Sequence, residues 1–289
     1  LRISIINIIL TLTFVYLFDM GLQGVALGTV IGYAIGCLTA IALAKKTLAI
    51  DSSKATGTVI KNTFSKQRLS EIYAFDKMLS LFSLNKDIFI RTILLTLSFA
   101  WITRLSAQQG DLVMATNAVL LQVLSISAFA LDGVAVAAES LSGQAAARQS
   151  RPQFMTAVKR TGVITFVLAL SLTIIWAFAL PSFLALMTDL SSVNELALDY
   201  RYIATLLPLV GAGAYWLDGI MFGLTAGAKI RQVAIIVSSI FFPLTYVVYE
   251  LYGAQYAMPV VWFAVYWLLI SRFIIAATVL WRNQQSLIY

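Results

Sequence analysis

Leu131-Asp132-Gly133-Val134-Ala135-Val136-Ala137-Ala138-Glu139-Ser140-Leu141-Ser142-Gly143 closes an apolar run that begins near Leu112. The chain thus carries two carboxylates into or beside a helix long enough to enter a bilayer. Asp132 and Glu139 are seven residues apart, about 700° around an α-helix, and so fall within about 20° of one face. Gly133, Ala135, Ala137 and Ala138 leave that helix nearly without bulk, which suits close approach of a second helix. A carboxylate at mid-bilayer costs roughly 2.5–3.5 kcal/mol on insertion scales, so it needs a partner, a proton or a cavity. The stretch reads as a helix lining the inside of a transport protein.

Working outward, the composition agrees. Apolar residues make up 60% of the 289, charged residues 11%, and the mean hydropathy is +0.88, far from a soluble mixture. Eight apolar segments approach or reach the length that a bilayer core requires: roughly 2–18, 22–43, 87–106, 112–137, 158–180, 200–224, 231–250 and 257–280. The fold class expected is all-α, a polytopic membrane helix bundle. Cys37 stands alone and histidine is absent, which removes an intrachain disulfide, a thiolate cluster and the commonest general base and metal ligand. No Walker motif, nucleotide fingerprint or nucleophile triad is present. We therefore expect no enzyme, no metal and no cofactor. The net charge of +7 is a topology signal rather than a nucleic-acid one. Basic residues fall in alternate loops, 45–91, 148–160, 229–231 and the C-terminus, which predicts those loops on the cytoplasmic side. The chain starts at Leu1 without Met, already inside an apolar run, and reads as the downstream part of a longer protein.

Along the chain, Gly24, Gly28, Gly32 and Gly36 recur every fourth residue and predict a helix that packs backbone to backbone on another. The polar stretch 45–86 is expected to divide two bundles, with a short amphipathic surface helix over Leu69–Leu84. Leu12-Thr-Phe-Val15 before Gly21 echoes Leu244-Thr-Tyr-Val247 before Gly253, as a parallel repeat would.

The intramembrane chemistry rests on few groups: Asp132, Glu139, Asp218, Arg201 and Arg272. Asp218 repeats the Leu-Asp-Gly triplet of Asp132, and both acids fall about 27–30 Å from the outer helix ends. They are candidates for a protonatable or cation-binding pair, with interfacial bonding to an amide or Arg as the plain alternative. Glu139, nearer the loop, is expected to reach Arg148–Arg160. Asn117, Gln122 and Asn7 are secondary, suited to bridging helices. Tyr215, Trp216, Met221, Phe222 and Phe129 suit either a pocket for flat cations or ordinary packing. Trp262, Tyr266 and Trp267 resemble interfacial anchors.

Asn85-Lys-Asp-Ile-Phe-Ile-Arg-Thr92, Ala107-Gln-Gln-Gly110, Ala115-Thr-Asn117, Leu131-Asp-Gly133, Ala138-Glu139, Gly143-Gln144, Pro208-Leu-Val-Gly211 and Leu217-Asp-Gly219 together resemble the MATE (multidrug and toxic compound extrusion) family. More narrowly, the chain resembles the branch of that family named for DNA-damage-inducible protein F. The resemblance implies two six-helix lobes. Residues 1–44 would be the last two helices of the first lobe, 45–86 a cytoplasmic inter-lobe loop, and 87–289 the second lobe. It implies export of drugs or other amphipathic or cationic compounds in exchange for H⁺ or Na⁺ across the bacterial inner membrane. The expected partners are a small-molecule substrate and membrane lipid, with the protein a monomer and no nucleic acid bound. A lipid-linked oligosaccharide flippase of the same superfamily is the alternative. By the same resemblance Asn7 and Thr29 match two members of a first-lobe proton network, while its Asp position is Thr11. A second-lobe Asp of Na⁺-coupled members matches Asp218, but their Glu on the 87–106 helix has no acidic counterpart, which favours H⁺.

Overall fold

The computed structural model describes residues 2–18, 20–54 and 75–282. Within them the chain is helical throughout, and it divides into two compact units, Leu1–Met78 and Leu79–Tyr289.

In the first unit, α1 (Arg2–Leu12) widens into a π-turn over Thr13–Leu17, where Phe18 N–H donates to Thr13 O at 3.3 Å. It packs on α2 (Gly21–Lys54). The glycine stripe is the reason. A Cβ at Gly28 would lie 2.6 Å from Thr11 Oγ1, and one at Gly32 would lie 3.1 Å from Asn7 Cβ.

In the second unit, α3 is Phe75–Gln108, α4 Asp111–Ala147 and α5 Arg151–Met187. The short α6 (Ser191–Asp199) then leads into α7 (Arg201–Gly223), α8 (Gly227–Tyr252) and α9 (Ala257–Arg282). Six helices among the described residues are long and apolar enough to cross a membrane, all in this unit. The two earlier segments carry shorter apolar helices, Ile6–Leu17 and Gln23–Thr39. This is a multi-pass membrane protein.

Several loops are shorter than the sequence suggests. The expected 148–160 loop shrinks to Arg148–Ser150, with Gln149 at φ +49° and Pro152 in the first turn of α5, where its missing N–H costs nothing. The surface helix expected over Leu69–Leu84 lies partly outside the described residues. From Phe75 onward the chain belongs to one continuous helix that enters the membrane.

Helix α7 is the centre of the unit: it packs against α4, α5, α8 and α9. Its closest partner is α4, and glycine sets that distance. A Cβ at Gly219 would collide with Ala135 O, and one at Gly223 with Ser142 Oγ and Glu139 O. Gly143 returns the contact, since its Cβ would stand 2.9 Å from Gly223 O. Of the small residues predicted to allow this approach, Ala135 meets Gly219 and Ala138 is buried, whereas Gly133 faces open space. Helix α3 differs from the rest. Among the described residues its backbone stands farther from its neighbours than those of α4, α7 and α9 do. Side chains tie it in: Trp101 Nε1 donates to Thr245 Oγ1 at 3.0 Å, and Asp87 pairs with Arg231.

Candidate functional site

Because Gly219 is pressed onto α4, its neighbour Asp218 is held at the edge of the α4–α7 contact, facing α3 and α9. There two guanidiniums converge on one carboxylate oxygen. Arg272 Nη2 on α9 donates to Asp218 Oδ2 at 2.7 Å, and Arg91 Nη2 on α3 donates to the same atom. The side chains of Arg272, Asp218 and Arg91 are 9, 17 and 23% exposed, so three charges are sequestered together. Each arginine also covers an aromatic face. Arg91 stands 5.8 Å from the Phe222 ring centre and Arg272 stands 5.7 Å from that of Tyr215, a favourable arrangement for a cation over a ring.

This array forms one wall of a cavity of about 440 Å³ between α3, α4, α7 and α9. Asp132, Glu139 and Tyr215 open onto it, with Leu95, Ala135 and Val136 as apolar surface. Five charged side chains therefore line one space, three acidic and two basic. They are not equivalent. Both arginines are committed to Asp218, and no ion pair reaches Asp132 or Glu139 among the described residues. On its far side the array meets a second, smaller void of about 30 Å³, bounded by Ser98, Met221, Val237, Ser238 and Leu268.

The structure thus brings together Asp132, Glu139, Asp218 and Tyr215. Glu139 does not reach Arg148–Arg160 as expected: it lines the cavity instead. Asn117 lies elsewhere. It is buried on α4 fifteen residues before Asp132, about 22 Å along the helix, where its Nδ2 donates to Ser106 Oγ at 3.2 Å. Of the predicted aromatic and Met lining, only Tyr215 and Phe222 face this cavity. Trp216 Nε1 donates to Thr161 Oγ1 at 3.0 Å against α5, Met221 lines the smaller void, and Phe129 is exposed. Trp262 is a core residue rather than an interfacial anchor. Asn7 and Thr29 belong to the first unit. Asn7 Oδ1 accepts from Thr11 Oγ1 at 3.3 Å, and Thr29 Oγ1 donates to Val25 O of its own helix at 2.9 Å. Sequence reasoning passed over Arg91. It lies inside the predicted 87–106 segment, but following Lys86 and Asp87 it reads as the polar approach to a membrane helix.

Comparison with known proteins accounts for the order of these parts. A family profile described as MatE matches residues 88–250. DNA damage-inducible protein F of Escherichia coli (strain K12) is 33% identical over 233 residues, which is 79% of this chain and 47% of that protein. The chain belongs to the MATE family. It spans about half the length of that curated relative. The MATE fold is also seen in solved structures. The eukaryotic MATE transporter AtDTX14 superposes with a TM-score of 0.79 at 17% identity, covering 99% of this chain and 61% of that one. The Vibrio cholerae MATE transporter VcmN in the bent form gives 0.72 at 15% identity, covering 99% and 60%. The Arg91–Asp218–Arg272 array therefore lies within a MATE fold and within the residues that the family profile and α9 contribute.

Proposed function

We propose that the chain serves a secondary active transporter of the bacterial inner membrane that exports amphipathic cationic compounds in exchange for H⁺. In this reading Asp132 is the exchangeable carboxylate, Glu139 assists it, and Asp218 is the fixed counter-ion of Arg91 and Arg272. The observation that carries the reading is the unequal pairing inside the cavity: both arginines rest on Asp218 and leave two carboxylates without a partner.

The charge count supports exchange. With all groups ionised the lining carries Arg91 and Arg272 against Asp132, Glu139 and Asp218, two positive and three negative, a net of minus one. A carboxylate left unpaired within a membrane protein is costly, so the cavity is balanced by one proton or by one monovalent organic cation. The two occupants compete, and a ligand that binds one conformation better shifts the equilibrium by its differential affinity alone. Tyr215, Leu95 and Val136 offer the apolar surface an amphipathic cation needs. H⁺ is favoured over Na⁺ in this reading because Asp218 already accepts from two guanidiniums, which leaves fewer carboxylate oxygens to ligate a metal ion.

The test is efflux of a cationic dye from proteoliposomes holding the full-length protein, driven by a pH gradient. Asp132→Asn keeps the shape and cannot titrate, so it should reduce driven efflux to the leak rate while the protein still elutes as a folded species. Parental efflux from Asp132→Asn would remove the carrier role from this residue. Efflux driven by a Na⁺ gradient at constant pH would replace H⁺ by Na⁺.

A further inference from the structure

Between Ser140 and Thr188 the chain carries Arg148, Arg151, Lys159 and Arg160 and no acidic residue. Glu139, the nearest carboxylate before them, turns to the cavity. Among the described residues none of the four cations has an ionic partner. They flank the α4–α5 turn, where a groove of about 320 Å³ opens between the end of α4 and the start of α5. Gln144 lines it from α4, Arg148 from the turn, Arg160 and Gln153 from α5, and its floor is Leu141 and Ala145. No carboxylate contributes to it.

The depth of the groove follows from helix length. At 37 residues, α5 is about 55 Å long, whereas the hydrocarbon core is about 30 Å thick. The helix therefore extends well past the acyl region. Apart from Met155 near its start, its large exposed apolar side chains are gathered from Val163 onward, through Ile164, Phe166 and Val167, three residues beyond Arg160. Cations and amide donors on one side of this border, and apolar side chains on the other, match the two parts of a phospholipid.

We propose that this groove binds an anionic phospholipid, with the forks of Arg148 and Arg160 on the phosphodiester oxygens and the acyl chains along the Val163–Val167 flank. Guanidinium suits the ligand because its planar donors engage two phosphate oxygens at once. Basic pockets between membrane helices hold lipid headgroups in this way. A lipid that is net anionic is favoured over phosphatidylcholine, which brings its own cation into a groove already uncompensated. The apolar flank argues for a lipid over a free phosphate ion. The assignment stands independently of the transport reading.

The test extracts the full chain from vesicles of equal parts phosphatidylglycerol and phosphatidylcholine into mild detergent, and measures retained lipid by native mass spectrometry. Phosphatidylglycerol should be retained about tenfold over phosphatidylcholine, a difference of about 1.4 kcal/mol. In the Arg148→Gln/Arg160→Gln double variant the ratio should fall to about one. Removing the same charge outside the groove, with Arg104→Gln/Arg282→Gln, should leave it unchanged. The Arg148→Lys/Arg160→Lys variant keeps charge and fold but not the fork, and should weaken the preference about threefold. Equal retention of both lipids by the parent, or equal loss from the control variant, would overturn the assignment. So would an undiminished preference in the lysine variant, or displacement of the lipid by millimolar inorganic phosphate.

Discussion

Asp132 and Asp218 stand in the same Leu-Asp-Gly triplet, on helices that touch, beside one cavity, yet their surroundings are opposite. Asp218 is largely buried and accepts from two arginines. Asp132 is exposed to the cavity and has no ion pair among the described residues. The glycines that follow them differ in the same sense. Gly219 is pressed against Ala135, whereas Gly133 has nothing within 4 Å of an added Cβ. Identical local sequence therefore supplies one acid paired with two arginines and one without an ion pair among the described residues, and the difference comes from what α3 and α9 bring up to α7. Burial and pairing, rather than residue type, separate the two carboxylates.

The largest test of this contrast is removal of each acid. Asp218→Ala leaves two sequestered guanidiniums without a counter-ion and should destabilise the protein by about 3–5 kcal/mol. Asp132→Ala should stay within about 0.5 kcal/mol, as for other sites without such contacts. Unfolding of the purified variants in detergent micelles measures both, and equal losses would end the distinction.

A smaller effect separates the glycines. Gly219→Ala should cost about 1–3 kcal/mol, because Ala135 O is backbone and cannot move aside. Gly133→Ala meets open space and should stabilise α4 by up to about 1 kcal/mol through helix propensity. A destabilising Gly133→Ala would mean that α4 and its neighbours lie closer there than described.

The smallest effect sharpens the division of labour along α4 itself. Asn117→Ala loses the hydrogen bond to Ser106 and should cost about 1 kcal/mol, with dye efflux unchanged. Asp132→Asn should show the reverse, intact stability and lost efflux. An Asn117→Ala variant that is stable but transport-dead would place a second functional group far from the cavity.

The helices were legible because apolar runs of bilayer length need little beyond counting, and the resemblance to MATE proteins supplied their order. The small residues of 131–143 and the repeated Leu-Asp-Gly also pointed to the right helices. Partner choice was not legible. Arg91 meets Asp218 across 127 positions, and its own neighbours Lys86 and Asp87 suggest a helix end where the structure has a helix already four turns long. Glu139 and Arg148 looked complementary in charge, but α4 continues unbroken to Ala147. Nine residues of rigid helix hold them about 13 Å apart along its axis, and the cavity takes the glutamate instead. The first-unit residues Asn7 and Thr29 illustrate the same limit, since their bonds stay within their own helices.

Arg91 and Leu95 of helix α3 border the 440 Å³ cavity on one side and the 30 Å³ void on the other. The two differ more than tenfold in volume, so a lateral step of this helix that closes the smaller one changes the larger one little and removes a void from the packed interior. Hydrostatic pressure acts on an equilibrium only through such a volume difference. Pressure therefore favours the position of α3 in which the smaller void is filled.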